Sequence, residues 1–267
     1  MNRPTSFHSI EVSEPEFEWA GLRMVTVKSR HLRGRGDLTL HVPKAARGCR
    51  DLPLILLLHG IYGSHWGWSL RGGAHETNER LSRHGTTPPF VLAMPSDGLW
   101  GDGSLYTAHG GRDFARWIVE DVPAAVRAIV PEVGSRSPVF IAGLSLGGFA
   151  ALRLGALFPE VFAGMSGLSS VTDLSQLVGR VEEDITSLGI QAADGSLIRA
   201  LRSAPRLPPL RFDCGHADPL IEPNRILHQE LTEAGIAHRY EEFPGAHDWD
   251  YWRTRIEGTL RFFASLC

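Results

Sequence analysis

Val139-Phe140-Ile141-Ala142-Gly143-Leu144-Ser145-Leu146-Gly147-Gly148 is the stretch that decides the fold. A short apolar, β-prone run feeds Gly-x-Ser-x-Gly, and the helix-prone residues Phe149 to Phe158 follow at once. Strand, tight turn and helix in that order are what a nucleophile elbow requires. The turn admits only small residues beside the serine, which accounts for Gly143 and Gly147. It lifts the Ser145 hydroxyl clear of the sheet and turns the Leu146 N–H toward whatever the serine attacks. The bare five-residue pattern also occurs in ordinary glycine-rich βα turns; the flanking strand and helix set this one apart.

Working outward, Pro53 to Leu58 is a continuous apolar run, as expected of a strand buried on both faces of a parallel sheet. Phe90 to Met94, Val161 to Ser166, Leu210 to Cys214 and His238 to Phe243 read as further strands. Apolar residues at helical spacing from Phe114 to Ile129 predict a crossover helix over 112–130, with Pro123 inside it as a kink or break. Helices are also expected from about Pro223 to Ala234 and from about Trp249 to Ser265. Leu22 to Lys28 and Asp37 to Val42 alternate apolar and polar residues around Gly34-Arg35-Gly36, the pattern of an antiparallel hairpin leading into the sheet. Residues 1–20 read as a weakly ordered arm, leaving 21–267 as one α/β domain with a mostly parallel central sheet. Within it, residues 167–209 interrupt the alternation and form a candidate cap. Two helical patterns there, near Leu174–Leu188 and Ser196–Ser203, are joined by Gly189 to Gly195.

The chain of 267 residues is 43% hydrophobic with a formal net charge of −3, which gives no reason to expect a nucleic-acid or membrane surface. No apolar run approaches the roughly 20 residues of a membrane span. Met1 to Glu18 is polar and carries four acidic residues, unlike a secretory signal. Cys49, Cys214 and Cys267 follow no metal spacing and leave one thiol unpaired in any disulfide scheme, so a reducing cytoplasm is the expected compartment. His65, His75, His84 and His109 are scattered without ligand spacing, and no metal is assigned.

A serine needs a base within hydrogen-bond reach, itself held by an acid. On sheets built around this elbow the chain order is Ser, acid, His, each partner following a C-terminal strand. His247 fits, in the turn Pro244-Gly245-Ala246-His247 before the last helix. For the acid, Asp213 falls within a strand and Asp218 in the loop beyond it, where sites of open parallel sheets form. Asp218 is the better placed; Asp213 is left to bond loop backbone. Asp248 reads as the cap of the final helix. The oxyanion needs two amide donors: Leu146 N–H, and from the loop His59-Gly60-Ile61-Tyr62-Gly63 the Ile61 N–H, with Tyr62 N–H as the alternative. His59 is read as structural. Aromatic residues crowd the expected mouth. Tyr62, Trp66, Trp68 and Trp100 are the candidate substrate contacts, Tyr106 and Tyr251 lie nearby, and Trp249 and Trp252 are read as packing.

With these residues in hand the chain resembles a known family. His59-Gly60-Ile61-Tyr62-Gly63 with Trp66, Gly143 to Gly148, Gly215-His216-Ala217-Asp218 and Gly245-Ala246-His247-Asp248 look like the esterase family of esterase D (S-formylglutathione hydrolase), feruloyl and acetyl-xylan esterases and mycolyltransferases. The resemblance spans roughly residues 22–265. It implies an α/β-hydrolase fold, no cofactor, and Ser145, Asp218 and His247 as the triad of a serine esterase. The expected substrate is a small-molecule ester with a short or aromatic acyl group. Acyl transfer to a sugar or alcohol, and a non-catalytic binding protein on a hydrolase fold, are the alternatives. Leu146 stands where methionine is common, which leaves its backbone role intact. The cap region departs most and leaves the substrate open.

Overall fold

The computed structural model describes residues 7–190 and 194–267. Nine strands form one sheet. They are β1 (Phe7–Val12), β2 (Leu22–Ser29), β3 (Gly34–His41), β4 (Leu54–Leu58), β5 (Val91–Pro95), β6 (Val139–Leu144), β7 (Gly164–Leu168), β8 (Leu210–Gly215) and β9 (Arg239–Phe243). Their spatial order is β1-β2-β3-β5-β4-β6-β7-β8-β9. The first three pair antiparallel, β3 meets β5 antiparallel, and β4 to β9 run parallel. The expected hairpin and mostly parallel sheet are therefore present.

Residues 1–20 depart from the arm expected of them where β1 pairs with β2. Phe7 and Ile10 turn partly inward while the residues between stay exposed, which gives the segment an apolar edge to lay on the core. Residues 1–6 lie outside the described ones.

The central strands are buried on both faces, and the period-two alternation splits their side chains between two cores. Leu54, Leu56 and Leu58 face α2 (Val122–Ile129) and α3 (Leu146–Leu157), with α4 (Leu197–Ser203) and α5 (Ile221–Glu233) beyond. Ile55 and Leu57 face the opposite side, where α6 (Trp249–Ala264) supplies Tyr251, Ile256 and Phe263. The first α-helix of the chain, α1 (Ala74–Arg83), also packs there. It escaped the sequence reading because its inner face is Ala74, His75, Asn78 and Leu81, too polar to show an apolar period. Pro123 divides its helix as expected: a wide π-helical turn, Trp117–Asp121, precedes α2 and absorbs the missing N–H.

Two other boundaries moved. Strand β7 begins at Gly164 rather than Val161, because Val161 and Phe162 form the turn that feeds it. The expected helix Leu174–Leu188 is two separate 3₁₀ turns, Leu174–Leu177 and Ile185–Leu188, each opened by an aspartate whose side chain caps the turn. The joint through 191–193 lies outside the described residues. No helix among those described is long and apolar enough to cross a membrane.

His41 closes β3 almost wholly buried, its ring edge-on to His75 and bonded by the Asn78 amide at 3.2 Å, with Glu79 3.8 Å away. Burial, helped by His75, lowers its pKa from 6.5 to about 3. The folded state thus keeps the ring neutral where the unfolded chain would protonate it. Its contribution is complete above about pH 6.5 and is lost as pH falls toward about 3. At about pH 5 this amounts to about 2 kcal/mol. Urea unfolding of His41→Asn should show a shallower loss of stability between about pH 7.5 and 5 than the parent does; equal slopes would place the acid sensitivity elsewhere.

Candidate active site

Ser145 sits between β6 and α3 at φ 53° and ψ −119°, a conformation that side chains rarely adopt. Its N–H donates to Leu168 O at 2.9 Å, and its carbonyl accepts from Phe149 and Val171 at 3.1 Å each, so the strained turn is held from both sides. The flanking glycines are steric necessities. A Cβ on Gly143 would lie 2.2 Å from the Gly147 carbonyl oxygen, and one on Gly147 would lie 2.4 Å from that of Leu58. Those neighbours are backbone and cannot rotate away. Gly147→Ala should therefore cost at least about 1–3 kcal/mol, read as a lower urea midpoint, and take activity with it. A variant as stable and active as the parent would show that the elbow has slack.

Asp218 lies just past β8, buried, in a turn closed by its own N–H to Gly215 O at 3.1 Å. One carboxylate oxygen accepts from Leu220 N–H at 2.8 Å and the other meets His247 Nδ1 at 2.9 Å. Burial works to raise its pKa, but the hydrogen bond and charge of His247, with the Leu220 amide and Ser169 hydroxyl, hold it below the ordinary carboxylate value. An ionised Asp218 fixes the imidazole tautomer: Nδ1–H donates to the acid, and Nε2 accepts from the Ser145 hydroxyl at 3.0 Å. The loops bearing acid and histidine are stitched together by Ala217 N–H to Gly245 O at 2.9 Å and His216 N–H to Phe243 O at 2.8 Å. The Trp252 ring stands perpendicular to His247, with centroids 5.0 Å apart.

Asp213 is in the strand, as its position requires, and faces away from this chain of bonds. It accepts from Arg211 at 2.5 Å and from the Tyr251 hydroxyl at 2.6 Å, all three side chains buried. Burial pushes its pKa up, and Arg211 and Tyr251 pull the other way. Asp248 accepts from Tyr251 N–H and caps α6.

Leu146 opens α3, so its amide is among those with no acceptor in the helix. Across from it, the Tyr62 amide is spent on Asp102 O at 3.0 Å, whereas the Ile61 amide has no acceptor among the described residues. Geometry thus favours Ile61 of the two alternatives. His59 braces this loop: Nδ1–H donates to Gly60 O at 2.7 Å while Nε2 accepts from Asp97 N–H at 3.1 Å.

Ser145 and His247 open into a cavity of about 460 Å³. Tyr62 and Trp66 line it, as expected; the Tyr62 hydroxyl also donates to Arg180 O. Trp68 and Trp100 do not. Trp68 is 1% exposed and spends its indole N–H on Leu58 O at 2.9 Å, so it is core. Trp100 packs edge-on against His109, 4.5 Å between centroids, outside the cavity. Tyr106 is likewise buried, donating to His59 O at 3.0 Å. Trp249 and Trp252, read as packing, do pack but also form cavity wall. Arg71, Val171, Gln176, Leu177 and Arg180 complete the walls without having been singled out. No motif marks them, and only the candidate cap, residues 167–209, hinted at four of the five. Among the described residues no group of three or more His, Cys, Asp or Glu side chains is arranged to hold a metal ion.

A serine on such an elbow, followed by an acid and a histidine at the C-terminal ends of a mostly parallel sheet, defines an α/β-hydrolase. The chain matches the family described as "Putative esterase" over residues 29–263 and belongs to it, as its four motifs implied; family membership makes it a carboxylic ester hydrolase. It is 27% identical over 236 residues to an acetyl esterase of Caldicellulosiruptor saccharolyticus, covering 81% of this chain and 85% of that relative. Two solved structures share the fold. A ferulic acid esterase superposes with a TM-score of 0.78 at 21% identity, covering 97% of this chain and 100% of its own. An S-formylglutathione hydrolase from Staphylococcus aureus gives a TM-score of 0.77 at 20% identity, covering 91% and 98%.

Proposed function

We propose that this esterase works through a Ser145–His247–Asp218 triad, hydrolysing small carboxylic esters with short or aromatic acyl groups by way of an acyl-enzyme. The observation that carries this reading is the unbroken run of hydrogen bonds, 2.9 Å and 3.0 Å, from a buried carboxylate through one imidazole to a serine at the cavity floor. His247 takes the Ser145 proton as the hydroxyl oxygen attacks the ester carbonyl. Asp218 holds the ring and stabilises the imidazolium that forms. Negative charge gathers on the former carbonyl oxygen, and the Ile61 and Leu146 amides donate to it. As the tetrahedral species collapses, His247 gives its proton to the departing alcohol or thiol. Water, deprotonated by the same imidazole, then repeats the sequence and frees the acid.

The volume suits a compact acyl group, and the aromatic walls Tyr62, Trp66 and Trp252 suit a flat one. A 4-nitrophenyl ester series from acetate to decanoate, followed from the first turnover, tests the reading together with labelling by a fluorophosphonate. The expected results are a burst of nitrophenolate, highest turnover for short chains, and phosphonate found on the Ser145 peptide. Labelling of another residue, or none, would sink the triad assignment.

A further inference from the structure

The cavity walls hold two arginines that ester cleavage itself leaves unused. Arg71 ends the turn Gly67–Arg71 on one side, and Arg180 follows the Leu174–Leu177 turn on the other; both line the cavity that contains Ser145. Their backbones are tied into the site. The Arg71 carbonyl accepts from the Arg253 guanidinium at 3.0 Å, and the Arg180 carbonyl accepts from the Tyr62 hydroxyl. The Arg71 guanidinium lies over the Trp249 ring, 5.3 Å from its centroid, and that ring is itself cavity wall.

Neither guanidinium meets a carboxylate among the described residues, whereas Arg253 close by is paired with Asp250 at 3.3 Å. The one carboxylate among the lining residues, Asp248, is turned to the Tyr251 amide as the cap of α6. A chain of net charge −3 therefore keeps an excess of positive charge where its substrate enters. A guanidinium offers a flat fork of N–H donors that matches a carboxylate, and stacking on an aromatic face fixes the plane of that fork in advance. A cleft walled by one sign of charge also concentrates ligands of the other.

We infer that the cavity selects esters carrying a carboxylate remote from the scissile bond, held by Arg71 and Arg180. This rests on the reading that Ser145 attacks an ester in the same cavity, and it names the substrate class that reading leaves open. Two matched pairs test it, each corrected for hydrolysis without enzyme. The 4-nitrophenyl monoester of adipic acid against 4-nitrophenyl hexanoate puts the charge on the acyl side. Acetoxybenzoic acid against its methyl ester puts it on the leaving group.

The expected result is a kcat/KM about tenfold or more higher for the acid than for its neutral partner in one arm, shrinking as salt is added. In Arg71→Gln and Arg180→Gln that ratio falls, mainly through KM, and the double variant brings it to about one. Neutral esters preferred in both arms, or a ratio unmoved in the double variant, would overturn the proposal. Ser145→Ala on the neutral esters keeps the two readings apart. Serine-dependent turnover without acid preference overturns the anionic subsite alone, and serine-independent turnover overturns both.

Discussion

Ser145→Ala lowers kcat/KM for 4-nitrophenyl acetate by roughly 10³-fold or more, with the unfolding temperature nearly unchanged. The hydroxyl is the only group lost. The backbone that bends at φ 53° is held by Leu168, Phe149 and Val171 through main-chain bonds that alanine also makes. His247 Nε2 loses its partner but faces the cavity, where water replaces it. On the proposed triad His247→Ala should cost about as much, and the double variant no more than either single one, as expected of two groups acting as a unit. Independent, multiplying losses would mean that serine and histidine serve separate steps. A variant hydrolysing at the parent rate would remove Ser145 from the chemistry.

Asp213→Ala, by contrast, is a stability lesion of about 3–5 kcal/mol. Arg211 is 1% exposed and would keep only Glu241 at 3.2 Å as a charged partner, with the Thr259 hydroxyl at 3.4 Å, while the Tyr251 hydroxyl would lose its acceptor in the interior. The urea midpoint should drop steeply, with the surviving folded protein still turning over ester. Asp218→Asn should do the reverse. It keeps the fold and the contact with Leu220, but it disturbs the tautomer of His247, lowering kcat by about 10⁴-fold. Measured together, midpoint and kcat assign the two aspartates. If Asp213→Ala abolished turnover in protein of parental stability, the acid would have to be reassigned.

The motifs around Ser145, Asp218 and His247 were legible because each is a short run of sequence. Gly143 is imposed by the Gly147 backbone in the same turn, Asp218 follows a strand whose Leu210, Phe212 and Cys214 alternate with polar residues, and His247 sits in a Gly-Ala turn just ahead of the last helix. The strands β4 to β6 were legible for the same reason, being apolar on both faces. What stayed hidden depends on partners distant in sequence. Trp68 looks like a mouth residue by chain position, yet the Leu58 carbonyl ten residues earlier draws its indole into the core. Trp100 is decided by His109, and the helix Ala74–Arg83 by a polar inner face that fits only because His41 and the Phe90 carbonyl meet Asn78. The walls at Gln176 and Leu177 come from one short 3₁₀ turn and that at Arg180 from the turn after it, neither of which carries a periodic signal, so the sequence motifs said nothing of these walls.

Gly147 brings the first turn of α3 against the carbonyls of Leu58 and His59, backbone on backbone. The serine departs from one of those segments and the Ile61 loop from the other, with no side chain between them to act as a spacer. The placement of Ser145 is thereby tied, through main-chain contact alone, to that of the Ile61 loop. The cavity walls at residues 171–180 and the turn ahead of α6 lie outside that joint, so a substitution there can change the shape of the cavity while leaving the backbone contact of Gly147 in place.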